Sequence, residues 1–388
     1  MKKPRLFKLS AAGSAIIAAL AFTVDVAWAT TDGSALNGDK PAAFPALGPL
    51  PPVPVPADNP MSPEKVALGK KLYWDHRLSG DGSSPCVSCH LPKLGWGDGG
   101  QISRGYPGTQ HWRNSQTVLN SAYYSKLFWE GNITSLESQA AAAAEGAVAG
   151  NGDPSVMEMR LCFIPEYVKE FKRVFGTEWP HIFHAYQAIA AFERTLVSDA
   201  KRVPFDRYMM GDRKALTPSA QRGLALFEGK AKCIQCHHGP LASDQKFYAH
   251  GLPDFPGFKN DPLYQVTHRW EQYQKGVSEK LYREADMDYG LYYVTKNPTD
   301  IGKFRTPSLR ELKYTAPYMH NGVFTTLAEV VDFYNQGGGQ GQNKTALLQP
   351  LGLTDGEKKN LIDFLKSLSM DTPLLMDTPV LPDYAVMK

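Results

Sequence analysis

The sequence predicts a mainly α-helical protein with long loops, in which one module occurs twice. Three observations predict it. Strand signals are few and short, apolar residues recur at helical spacing behind capping residues, and the same series of signals is met twice. In the first copy Ser62 can cap a helix with Pro63 at its first position and Val66, Leu68, Leu72 and Tyr73 as its apolar positions. In the second copy Thr217-Pro218-Ser219-Ala220 opens a helix through Gly223, Leu224, Leu226 and Phe227. After a short loop each helix is followed by Cys-x-x-Cys-His, first as Cys86, Cys89 and His90, then as Cys233, Cys236 and His237. A boundary near residues 200–215 separates the copies, so domains are expected at 61–205 and 206–388. Between the motifs, His181 to Val197 reads as a helix with Ile182, Tyr186, Ile189, Phe192 and Leu196 on one face. Thr326 to Asn335 reads as another, with Thr326 and Glu329 forming a capping box and Leu327, Val330, Val331 and Tyr334 sharing a face. Gly337 to Asn343 has the composition of a mobile loop.

The start of the chain reads as an export signal. Lys2, Lys3, Arg5 and Lys8 precede an apolar run from Ala11 to Val24, too short to span a bilayer, and Ala27-Trp28-Ala29 fits a small-x-small cleavage site. Asp25 interrupts the run, which favours cleavage near Ala29 over an uncleaved anchor. The whole chain carries 42 Lys and Arg against 39 Asp and Glu; removing residues 1–29 takes away four of the first and one of the second, leaving 38 of each. A neutral chain without a long basic tract speaks against nucleic-acid binding. The expected location is the periplasm, with no membrane anchor once the signal is gone. Residues 30–60, rich in Pro, Ala and Gly, read as a flexible tether.

Four of the five cysteines belong to the two motifs. Thiols at this spacing can form thioethers to both vinyl groups of one haem, and the adjacent histidine is then forced beneath the iron. A structural zinc site would need four converging ligands and has no use for that histidine. Two covalent c-type haems are therefore expected. Cys162, in Leu161-Cys162-Phe163-Ile164, reads as a buried free thiol.

Longer stretches carry a family resemblance. Gly302-Lys303-Phe304-Arg305-Thr306-Pro307-Ser308-Leu309-Arg310 and Thr315-Ala316-Pro317-Tyr318-Met319-His320-Asn321-Gly322 resemble the bacterial di-haem cytochrome c peroxidases and their relative MauG. So do Arg113-Asn114-Ser115 and Phe128-Trp129-Glu130-Gly131. The resemblance runs from about residue 60 to about residue 370. It implies two cytochrome-c-like haem domains with a calcium ion and a tryptophan between the haems. Trp129 matches that tryptophan, and Asn114, Thr315 and the carbonyl of Pro317 match the calcium ligands, oxygen donors that suit a hard cation.

In the peroxidases a distal histidine lies between the first motif and the Arg-Asn pair. Here Leu91 to Gln110 holds no histidine, and His111 is too close to Asn114 to match. The first haem, on His90, is therefore expected to be open to peroxide at rest, as in MauG. Tyr334 stands where the peroxidases have a methionine ligand to the second haem and MauG has tyrosine; Met319 and Met287 are alternatives. An anionic oxygen ligand there favours higher iron oxidation states.

Gln139 matches a distal-pocket glutamine of MauG. The family glutamate that helps break the O–O bond is replaced by Val148, which leaves Glu145, or Glu158, as the nearby carboxylate; Glu145 is the expected acid–base group. Ala231 stands where MauG has the tryptophan through which its protein substrate is oxidised. The expected function is thus a di-haem oxidoreductase that uses hydrogen peroxide to oxidise residues of a partner protein. Peroxide detoxification with electrons from a small redox protein is the alternative, and a non-catalytic electron carrier the second.

Overall fold

The computed structural model describes residues 44–384 except 107–109, 256 and 261. The expected export signal and the start of the tether, through Ala43, lie outside the described residues.

The two modules are built on the same helix crossing. In the first, the helix Pro63–Trp74 is capped by Ser62, whose side chain accepts from Lys65 N. It packs against Ile182–Glu193. In the second, Pro218–Glu228 is capped by Thr217, whose side chain accepts from Ala220 N, and packs against Asp355–Ser367. Each pair meets at a glycine. A Cβ on Gly69 would run into the carbonyl of Ala188, and one on Gly223 into the carbonyl of Asn360. Backbones that close leave no room for any side chain but hydrogen. Large buried aromatics fix each crossing: Tyr73 and Phe192 in the first module, Phe227 and Phe364 in the second.

Several further helices begin at a proline, among them Pro154–Cys162, Pro165–Phe175 and Pro204–Met209. Proline is suited to that position because its missing N–H would have had no partner there. Among the described residues, strand structure amounts to the antiparallel pair Phe247–Tyr248 and Phe304–Arg305 plus isolated bridges.

The modules are joined by close backbone packing and buried polar bonds. Gly95 abuts Tyr314, and Gly322 abuts Gln101, with no space for a Cβ at either. Arg113 is buried between Asp288 and Glu130, with Nε 2.6 Å from Asp288 Oδ2. Ser198 Oγ donates to Glu311 at 2.6 Å.

Two expectations from composition change here. Residues 44–60, read as part of a flexible tether, are held. Leu47 is buried in the second core, Gly239 N donates to Pro45 O at 2.9 Å, and Arg310 reaches Gly48 O. Tyr123 Oη donates to Pro51 O at 2.7 Å, and Asn59 joins Glu137 and Lys65 in the first module. A proline-rich chain is already extended, so its carbonyls accept bonds at little entropic cost. The glycine tract is also held at its start: Gly337 N bonds Tyr334 O and Gly339 N bonds His250 O. Gly251 and Gly339 approach too closely for a side chain at either. Cys162 is free but only half-buried.

Candidate functional site

Both Cys-x-x-Cys-His motifs fold as a short 3-10 turn, Cys86–Ser88 and Cys233–Gln235, closed by the histidine N–H bonding back to the first cysteine carbonyl. The turn brings both cysteines and the histidine to one side. His90 Nδ1 lies 3.1 Å from Trp96 O, and His237 Nδ1 lies 3.0 Å from Ala242 O. Such a bond fixes the tautomer with Nδ1 protonated and leaves Nε2 as the free lone pair. Burial holds both imidazoles below their usual pKa, so they are neutral and ready to ligate. None of the four motif cysteines is tied up in a disulfide, so both pairs are available for thioethers. These features fit a thioether-linked haem at each motif.

Behind the second motif lies a large, mainly apolar cavity. Cys233, Cys236 and His237 form one wall, and Tyr334, Val330 and Val331 from the capped helix Leu327–Asn335 form another. The structure thus brings Tyr334 into the same space as His237, with Met287 and Met319 also on its wall. Ala231, at the position of MauG's exit tryptophan, is buried in this wall as well. The Tyr334 hydroxyl is 2.9 Å from His250 Nδ1. Burial raises the pKa of the Tyr334 phenol and pushes His250 down to about 4, so both are neutral near pH 7. Sequence reasoning missed His250. It sits in the loop Ala249-His250-Gly251, where no periodicity or spacing marks it.

The first motif packs differently. Cys86 and Val87 lie against the core formed by Leu68, Leu72, Tyr73, Trp74 and Trp96. Glu193, at the end of the Ile182–Glu193 helix, is fully buried nearby, and burial pushes its carboxyl up to about 8. Glu145 ends the helix Leu136–Glu145 and is exposed, but its Oε1 accepts from the buried Tyr186 hydroxyl at 2.9 Å. Gln139 lies earlier on the same helix, half-buried. Val148 is packed with Ile102 and Trp112. Glu158 is occupied elsewhere: it accepts from Trp179 Nε1 and from Ile182 N, where it ties down a helix start. His111 is stacked on Trp112 with ring centroids 4.1 Å apart.

Trp129 connects the two regions. Its ring lines the second cavity, and its Nε1 donates to Asn114 O at 3.0 Å. The next residue, Ser115, donates through Oγ to Cys89 O at 2.8 Å and lies 3.5 Å from His90 Nδ1. Trp129 is therefore two short hydrogen-bonded steps from the first motif while it faces the second. Asn114, Thr315 and Pro317 all come to this cavity wall, from opposite halves of the chain. Among the described residues no group of three or more His, Cys, Asp or Glu is placed to hold a metal ion. Neutral oxygens such as these are donors that a hard cation at the wall could use. No helix among the described residues is long and apolar enough to cross a membrane.

Comparison with known proteins bears on this geometry. A family model described as di-haem cytochrome c peroxidase matches residues 63–214. Over 349 residues the chain is 72% identical to cytochrome-c peroxidase IdrP1 of Pseudomonas sp. strain SCT, covering 90% of this chain and 91% of that protein. It is 34% identical over 320 residues to the methylamine utilization protein MauG of Methylorubrum extorquens, covering 82% of each. A solved structure of a MauG-like protein associated with microbial copper homeostasis superposes with a TM-score of 0.69 at 31% identity, covering 87% of this chain and 96% of the other.

Proposed function

Because the chain belongs to the di-haem cytochrome c peroxidase family, we propose that it is an exported enzyme that reduces hydrogen peroxide with electrons from a small redox protein. The observation that carries this reading is the 72% identity, over nine-tenths of the chain, to a protein named cytochrome-c peroxidase. Signal cleavage near Ala29 would release it to the periplasm, where c-type haems are attached.

When bound, the haems supply the electron chemistry; this chain's residues arrange it. His90 and His237 would each hold one iron, through the Nε2 atoms that their backbone bonds leave free. Leu91 to Gln110 offers no histidine to close the first site, so peroxide enters there without a ligand having to leave. Glu145, backed by the Tyr186 hydroxyl, is the carboxylate that moves a proton between the peroxide oxygens. Gln139 contributes from the same helix. Trp129 passes electrons between the modules, and Tyr334 would be a further ligand to the iron held by His237. Asn114, Thr315 and the Pro317 carbonyl would hold a calcium ion and so tie the two halves together around Trp129.

A second reading, oxidation of residues on a partner protein, is favoured by one observation. Tyr334 faces the same cavity as His237, and an anionic oxygen ligand suits a haem that stores an oxidising equivalent. The small residue Ala231 argues that any such partner is not the one MauG uses. The test mixes the purified holoprotein with hydrogen peroxide and a reduced small cytochrome. Peroxide-dependent oxidation of the cytochrome is expected. If none occurs, while exported proteins incubated with enzyme and peroxide gain oxidised residues by mass spectrometry, the second reading replaces the first.

A further inference from the structure

The shared helix crossing allows the modules to be compared position by position. With Gly69 set on Gly223, and Ala188 on Asn360, Tyr73 corresponds to Phe227, Trp74 to Glu228 and Glu193 to Leu365. The residue whose carbonyl holds the motif histidine is Trp96 in the first module and Ala242 in the second. Phe227 and Leu365 both line the second cavity. By the same register Tyr73 and Glu193 would face a haem bound at the first motif.

In the first module these positions build one tight cluster. Tyr73, Trp74, Trp96 and Phe192 are all mutual neighbours, with ring centroids between 5.3 and 6.1 Å apart. Trp96 and Tyr73 are wholly buried, whereas Trp74 is 7% exposed and lies beneath the Lys70 ammonium. Aromatic packing alone is the plainer explanation. The second module argues against it, because the same crossing is filled there by Phe227, Glu228 and Ala242, none of which is easily oxidised. A second observation agrees. The Tyr73 hydroxyl and Glu193 Oε2 are buried and have no hydrogen-bond partner among the described residues. A fold seeking only a core would use Phe and Leu at these places, as the second module does.

We propose that Trp96, Tyr73 and Trp74 form an oxidisable cluster that holds one oxidising equivalent from the first module and delivers it to the surface at Trp74. The inference rests on the peroxide-using reading above. Hydrogen peroxide takes up two electrons and two protons from solvent to give two waters. A haem bound at His90 would supply one of these electrons and the cluster the other, leaving an indole as a radical cation. Trp96 keeps its N–H, which donates to Leu374 O at 2.8 Å. The reduced donor protein returns two electrons, one to the indole and one to replace that supplied by the haem. The buried Glu193 carboxyl beside the cluster stabilises its positive charge when ionised. The route leaves the first module without passing through Trp129.

The test mixes ferric holoprotein with hydrogen peroxide, without donor, and freezes samples for electron paramagnetic resonance. An organic radical whose lines narrow on indole-deuterated tryptophan is expected. Trp74→Phe/Trp96→Phe should lose that signal while keeping both haems by mass and a wild-type ferric spectrum. A tryptophan radical that survives in this variant overturns the proposal, as does wild-type protein whose haem spectrum responds to peroxide yet forms no tryptophan radical. A haem spectrum indifferent to peroxide overturns the peroxidase reading, and this inference with it. Should the double variant fail to fold, Trp74→Phe alone must slow the quenching of the radical by reduced cytochrome; unchanged quenching refutes the route to the surface.

Discussion

The two modules share a scaffold and part company in the residues packed around each motif. Both are a capped helix, a Cys-x-x-Cys-His turn with its histidine held through Nδ1, and a later helix that crosses the first at a glycine. The second lines this space with Phe227 and Leu365 and adds Tyr334, paired with His250, on the far side. At the corresponding places the first has the buried residues Tyr73, Trp96 and Glu193. The scaffold's demands are met by backbone contacts and by apolar bulk. The residues that vary between equivalent positions are therefore free to set redox behaviour.

The largest effect should fall on what is shared. An added methyl at Gly69 or at Gly223 forces its helix pair apart, and overpacking of this kind costs about 3 kcal/mol. Gly69→Ala and Gly223→Ala should give comparable losses in urea unfolding. A loss confined to one of them would break the equivalence of the modules.

Next comes the residue that most distinguishes the second module. Replacing the anionic oxygen donor by a thioether in Tyr334→Met should raise the potential of that haem by on the order of 100 mV. Oxidation of a partner protein should fall with it, whereas peroxide-driven oxidation of a small cytochrome continues. Redox titration reads the first effect; if the potential does not move, Tyr334 is no ligand.

A smaller change is expected from removing the proposed calcium ion. Asn114, Thr315 and Pro317 join opposite halves of the chain beside Trp129. Chelation should alter the spectra of both haems and slow electron transfer between them, and re-addition of calcium should restore both. Spectra indifferent to chelator would remove calcium from the bridge.

The smallest effect concerns pH. Burial pushes Glu193 up to about 8; Arg194 opposes this and Glu137, which pairs with Arg194, reinforces it. Tyr73 and Cys86 face the same carboxyl and are neutral near pH 7. Below pH 8 the carboxyl is protonated; above it, the carboxylate favours the more positive, oxidised haem. The first haem's potential should therefore fall as pH rises through about 8, and Glu193→Gln should abolish the step. Leu365 gives the second module no such group. A step that persists in Glu193→Gln would assign it to another residue.

What the sequence disclosed follows from how local each feature is. Ser62-Pro63, Thr217-Pro218 and Thr326 with Glu329 are capping signals complete within a few residues, and the helices start where they indicate. The two motifs are local as well, which is why the haem sites were legible at once. Trp129, Asn114, Thr315 and Pro317 could be picked out only through resemblance, since nothing in their spacing joins residues from opposite halves. His250 and Glu193 were hidden because their significance lies in partners far away in sequence. Glu193 reads as one more polar residue on a helix until Tyr73 and Cys86 are packed around it. Composition misled at residues 44–60, where prolines signalled looseness but offered carbonyls to Tyr123, Gly239 and Arg310.

That early segment has a consequence in time. Its anchors include Gly239 and Arg310, which are synthesised long after Leu47 and Gly48. The beginning of the described chain therefore cannot settle until most of the remainder exists. It works as a latch that closes only on a finished molecule. A chain cut short before residue 310 would leave it loose, open to proteases that spare the completed protein.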